Sequence, residues 1–149
     1  MEIGATKAVQ DRLKTTKIEE SKGASLVFCW DTHLTKIKGR NVLFIVNASN
    51  RYTIAMTDIE PRNWNYYAMY IIRVIHGMMQ EMGYSEEQIE QYFKMSGDTT
   101  ITKTHGRKSV GGINRMVMDA QYFGKKLEKE AKYQWEPVSY THLTLPTSD

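Results

Sequence analysis

Six residues in the stretch ITKTHGRKSVGGINRM, residues 101–116, have the types and spacing to hold an anion: Lys103, Thr104, His105, Arg107, Lys108 and Ser109. Lys103, Arg107 and Lys108 bring positive charge, Arg115 adds another, and no acid lies between residues 99 and 118. If Ser109 opens a helix, free backbone N–H groups and the positive end of the helix dipole stand beside Arg107 and Lys108, a combination that binds phosphate-like groups. Thr104 and Ser109 would add hydrogen bonds, and His105 would make affinity depend on pH. The pair Gly111–Gly112 would let a ligand or a neighbouring backbone come close. Neither G-x-x-x-x-G-K-[ST] nor G-x-G-x-x-G occurs, so this is no known nucleotide cradle. The competing reading of the same residues is a capped turn whose glycines let a helix pack tightly on a sheet.

Other chemistry finds less support. His33, His76 and His105 stand apart from one another, without paired cysteines or His-x-x-x-His spacing, so no metal or other cofactor is expected. Ser109 and His105 could serve a small hydrolase or transferase, but no nucleophile-elbow motif accompanies them, and the reading leans away from an enzyme. Glu86, Glu87 and Glu90 read as a solvated helix face. Cys29, inside the apolar run LVFCW, reads as a buried small hydrophobe with no activating neighbour in the local sequence. Among the aromatics, Tyr66 and Tyr70 stand at i, i+4 on a helix and are candidates for a partner surface. Aromatics beside basic residues also suit single-stranded nucleic acid, although no RNA-recognition signature is present.

The elements that must position these residues follow from periodicity. Residues 2–4 suit a short strand, and Thr6 suits the cap of a helix through Leu13. LVFCWDTHLTKI, NVLFIVN and RYTIAMTD are three successive strand signals, joined by turns at Lys38–Gly39 and NASN. Connections this short predict an antiparallel meander. From Pro61 the period changes, and Trp64, Ala68, Ile71, Ile75, Met78 and Met82 form the inner stripe of one helix that ends at Gly83. Ser85 and Gln88 are spaced as a capping box for a shorter helix, TTITKT is a strand candidate, and a last helix is expected from Ser109. The predicted fold is α+β: an antiparallel meander sheet of three to five strands, with about four helices packed mainly on one face.

The blocks IGATK, WDTHL, NASNR and ITKTHGRKSVGGINRM, in that order, resemble a bacterial family described as domain of unknown function 6933. The resemblance covers roughly residues 1–125, and the last block is its most specific part. Family members more often carry His directly after the tryptophan, where Asp31 follows Trp30 here. The resemblance implies a compact α+β domain of bacterial origin and adds no activity. Residues 138–149 break with what precedes them, and VSYTHLTLPT resembles a translated sequencing adaptor. The expected organisation is therefore one domain over residues 1–137 and a foreign tail, with the natural C-terminus lost.

The 149 residues suffice for one core, and 41% apolar with 25% charged residues exclude wholesale disorder. The net charge of +3 is well short of a dedicated nucleic-acid binder. No apolar stretch suits a secretory signal or a membrane span, and the single cysteine fits a reducing compartment, so a cytoplasmic location is expected. These readings together predict a non-enzymatic binding module. Its partner would be a phosphorylated ligand or nucleic-acid backbone at the basic loop, or alternatively a protein at the aromatic, Met-rich helix.

Overall fold

Alternation of side chains along the strands sorts the sheet into two differently used faces. The computed structural model describes residues 1–14 and 16–106. Five strands, β1 (Glu2–Ala5), β2 (Cys29–Ile37), β3 (Arg40–Asn47), β4 (Thr53–Thr57) and β5 (Thr100–Thr102), form one sheet in the order β4-β3-β2-β1-β5. β2, β3 and β4 are the expected antiparallel meander. The sheet as a whole is mixed, however, because β1 inserts beside β2 and runs parallel to both β2 and β5. The reason is chain path: β1 and β5 reach their neighbours through helical connections, which return a strand in the same direction.

Local chemistry accounts for the turns. Lys38 and Gly39 both have positive φ, 50° and 81°, the geometry that closes a two-residue hairpin with the twist of its strands. At the next turn the buried Asn47 side chain does the work. Its Oδ1 accepts from the Ser49 and Asn50 backbone N–H groups at 3.0 and 3.3 Å, and its Nδ2 donates to the Val27 carbonyl at 3.0 Å.

The described helices are α1 (Lys7–Arg12), α2 (Pro61–Asn65), α3 (Tyr67–Glu81) and α4 (Glu86–Ser96), with a 3-10 turn at Leu26–Phe28. They share one apolar core with Ile3, Trp30, Leu43, Ile45 and Ile54 of the sheet. Into it go Val9, Trp64, Tyr67, Ile71, Ile75, Met78, Met79, Ile89 and Tyr92. The continuous helix expected from Pro61 to Gly83 is broken at Tyr66, whose φ and ψ of −122° and 50° leave helical space. The break seats Trp64 and Tyr67 face to face, with ring centroids 5.3 Å apart, and Arg12 lies 4.7 Å over the Trp64 ring. The Ser85–Gln88 capping box forms as its spacing predicts. Thr6 stands at the start of α1 but makes no side-chain cap; its hydroxyl instead meets His33 Nδ1 at 2.8 Å.

Residues one step out of phase with that core point to the opposite face. Glu2 and Gly4 of β1, Cys29 and Asp31 of β2, and Val42, Phe44 and Val46 of β3 lie there, buried. The helix expected from Ser109 and the stretch 138–149 lie outside the described residues.

Candidate functional site

A buried acid inside an apolar strand needs a partner, because ionised carboxylates are costly to take out of water alone. Asp31 is such a residue, with a fully buried side chain. Its partner is His105, just past β5. The His105 backbone N–H lies 3.1 and 3.0 Å from the two Asp31 carboxylate oxygens, and its Nδ1 donates to Oδ1 at 2.6 Å. The other ring nitrogen, Nε2, donates to Glu2 Oε1 at 2.7 Å. The imidazole thus bridges two carboxylates, and the His105 and Glu2 side chains are each 6% exposed.

The sheet register brings this about. In the parallel β1–β2 pair Glu2 stands opposite Cys29 and Gly4 opposite Asp31. Gly4 makes room for the acid: a Cβ there would lie 2.0 Å from Asp31 Oδ1 and 3.0 Å from the Thr104 Cα. Glu2 is further held by the Ser21 hydroxyl at 2.7 Å and the Lys22 N–H at 2.8 Å. Cys29 Sγ lies 4.0 Å from Glu2 Oε1 and 3.5 Å from the Ser25 carbonyl.

These contacts set the charge states. Burial pushes the Glu2 carboxyl up, but Ser21, His105 and the Lys22 N–H outweigh it and hold the group down at about 2. The Asp31 hydrogen bond foremost, then Cys29, opposed by burial and helped by Glu2, raises His105 to about 11. At neutral pH His105 is therefore an imidazolium between two acidic groups, with both ring protons donated. His33 behaves oppositely: burial lowers it.

Of the six basic-loop candidates, the structure describes three. Lys103 is exposed, with Nζ 4.0 Å from Glu20 Oε1, and Thr104 is half-buried. His105 turns inward, its ring nitrogens committed to Glu2 and Asp31. Arg107, Lys108 and Ser109 lie outside the described residues. Glu2, Asp31 and Cys29 went unrecognised as partners of His105 in the sequence. The one available signal was Asp31 itself, an acid following LVFCW.

The second candidate surface lies across the molecule, at the α2–α3 break. Tyr66 is 71% and Met69 55% exposed, while Tyr70 is half-buried and its hydroxyl pushed up to about 12 by burial. With Arg62, Asn63 and Arg73 they line a cavity of about 390 Å³. A neighbouring cavity of about 440 Å³ shares Arg62, Asn63, Tyr70 and Arg73 and continues to Met56, Asp58 and Gly77. Arg62 pairs with Glu60 at 3.0 Å, both exposed; among the described residues no ion pair involves Arg73. Glu86, Glu87 and Glu90 are exposed. His76 lies 3.6 Å from Glu86 and stacks on Phe93. Among the described residues no helix is long and apolar enough to cross a membrane.

No curated protein and no solved structure matches the chain. A family model described as a domain of unknown function (DUF6933) matches residues 2–145, and the chain belongs to that family.

Proposed function

We propose that this member of the family is a non-enzymatic binding module for a phosphate-bearing, base-containing ligand such as single-stranded nucleic acid, held at the α2–α3 groove. One observation carries the reading: two tyrosines one helical turn apart, one of them exposed, line a single concave surface with Arg62 and Arg73. Aromatic rings accept bases by stacking without regard to sequence, and guanidinium groups hold phosphate oxygens in pairs. Asn63 adds a donor and an acceptor, and the adjoining cavity extends the track beyond one nucleotide-sized opening. The arrangement has the parts for binding.

A second reading keeps the ligand class and moves it to the basic stretch after His105. It is favoured by the double attachment of His105, backbone and side chain, to Asp31, from which Arg107 and Lys108 continue two residues later. In this reading His105 is an anchor for the loop, and Lys103, Thr104, Arg107, Lys108 and Ser109 meet the anion.

Fluorescence anisotropy of a labelled single-stranded oligonucleotide, titrated across salt concentrations, tests both. Binding that weakens with salt, with the logarithmic slope reduced by about 0.7 per lost phosphate contact, is expected. Loss of affinity in Tyr66→Ala with Arg73→Ala supports the groove; loss only in Arg107→Ala with Lys108→Ala moves the site to the loop. Absence of binding at low salt overturns the nucleic-acid reading and leaves a protein partner at Tyr66 and Tyr70.

A further inference from the structure

Three donor groups of different chemistry converge on the sheet face away from the helices: the Glu2 carboxylate, the Cys29 thiol and the His105 imidazole, one donor atom of each lying within 4.8 Å of the others. They come from β1, from the first residue of β2 and from the segment after β5, so no local spacing rule could have joined them. We propose that Glu2, Cys29 and His105 form a zinc-binding site with Asp31 as its orienting partner.

The donor set is the argument. A carboxylate, a thiol and an imidazole are the three ligand types that Zn²⁺ takes, at about 2.0–2.3 Å, and three protein ligands leave a fourth tetrahedral position for water. Those lengths imply donor separations of roughly 3.3–3.7 Å. The Glu2–His105 contact, 2.7 Å, must open by about half an ångström, and the Glu2–Cys29 contact, 4.0 Å, must close by about as much. Both are side-chain adjustments.

The surroundings are those a bound metal requires. A metal-ligating histidine donates its other ring N–H to a carboxylate, which sets the tautomer and aims the free nitrogen. Asp31 makes that bond to Nδ1 at 2.6 Å, from a fully buried position that Gly4 keeps open. Glu2 is held by Ser21 and Lys22, so its carboxylate is oriented too. The contacts of the Cys29 sulfur with Glu2, Ala24 and Ser25 are long, 4.0, 3.8 and 3.5 Å. Metal entry displaces one proton from His105 Nε2 and one from Cys29 Sγ. Glu2, Asp31 and His105 already form an enclosed ion triad at this place.

Co²⁺ titration into the chelator-treated full chain tests the proposal. One equivalent should bind, with a thiolate-to-cobalt charge-transfer band and the ligand-field bands of a four-coordinate ion, and excess Zn²⁺ should abolish both. Cys29→Ser lies outside the ion triad, so it should stay folded by circular dichroism and lose the charge-transfer band. Asp31→Asn should lower the affinity about 10–100-fold while retaining that band, as expected of a positioning residue. No stoichiometric binding by the folded wild type overturns the proposal. So does one-equivalent Co²⁺ binding that keeps its wild-type affinity in Cys29→Ser, since the metal would then sit elsewhere.

Discussion

The two faces of this molecule treat polar and charged side chains in opposite ways. Behind the sheet, Glu2, Asp31 and His105 are enclosed, and their ring, carboxylate and backbone groups bond one another at 2.6–3.1 Å. At the α2–α3 groove, Tyr66, Met69 and Arg73 are turned to solvent beside open volume. Enclosure makes each buried charge depend on its partner, since its desolvation is offset only while the partner is present. Exposure makes the groove residues nearly free of structural duty. Stability should therefore concentrate in the first region and ligand affinity in the second.

Asp31→Ala gives the largest expected effect. It leaves the His105 imidazolium without its closest acid and should cost about 3–5 kcal/mol of unfolding free energy, read from urea denaturation. Gly4→Ala comes next. Its added Cβ falls 2.0 Å from a buried carboxylate oxygen, which should cost about 1–3 kcal/mol by overpacking and by pushing Asp31 off His105.

The pH profile of the metal-free protein sharpens the contrast. Glu2 is lowered from 4.5 to about 2, so its contribution is present above the unfolded value and is lost as pH falls through about 2. His105 is raised from 6.5 to about 11; its contribution is complete below 6.5 and is lost as pH rises through about 11. The cluster should stabilise most between those two unfolded values, 4.5 and 6.5, and the alkaline decline should flatten in His105→Gln. An unchanged alkaline limb in that variant would remove the cluster from the account of stability.

The smallest expected effect is at the groove. Tyr66→Ala with Arg73→Ala should change stability by less than about 0.5 kcal/mol per site while lowering oligonucleotide affinity in the anisotropy titration. A large stability loss there would erase the difference between the two regions.

Much of the scaffold was legible in local pattern. The β2–β4 meander, the Lys38–Gly39 turn, the α4 capping box and most of the α3 stripe each depend on residues two to four apart, whose geometry the backbone period sets. The break at Tyr66 was hidden, because Trp64 and Tyr67 remain three apart whether the helix continues or kinks, and their stacking under Arg12 is a tertiary contact. Thr6 likewise read as a cap until the fold set His33 beside it.

By itself the sequence determined an α+β domain, the antiparallel meander and the amphipathic helices, since each follows from short-range periodicity and turn chemistry. Only the tertiary structure decided that β1 runs parallel between β2 and β5, and thereby that Glu2, Cys29, Asp31 and His105 meet. His105 lies 74 residues from Asp31 and 103 from Glu2 along the chain. At such separations no periodicity relates two positions. Their encounter depends on strand order and register, and a one-residue shift of β1 would have turned Glu2 into the apolar core instead.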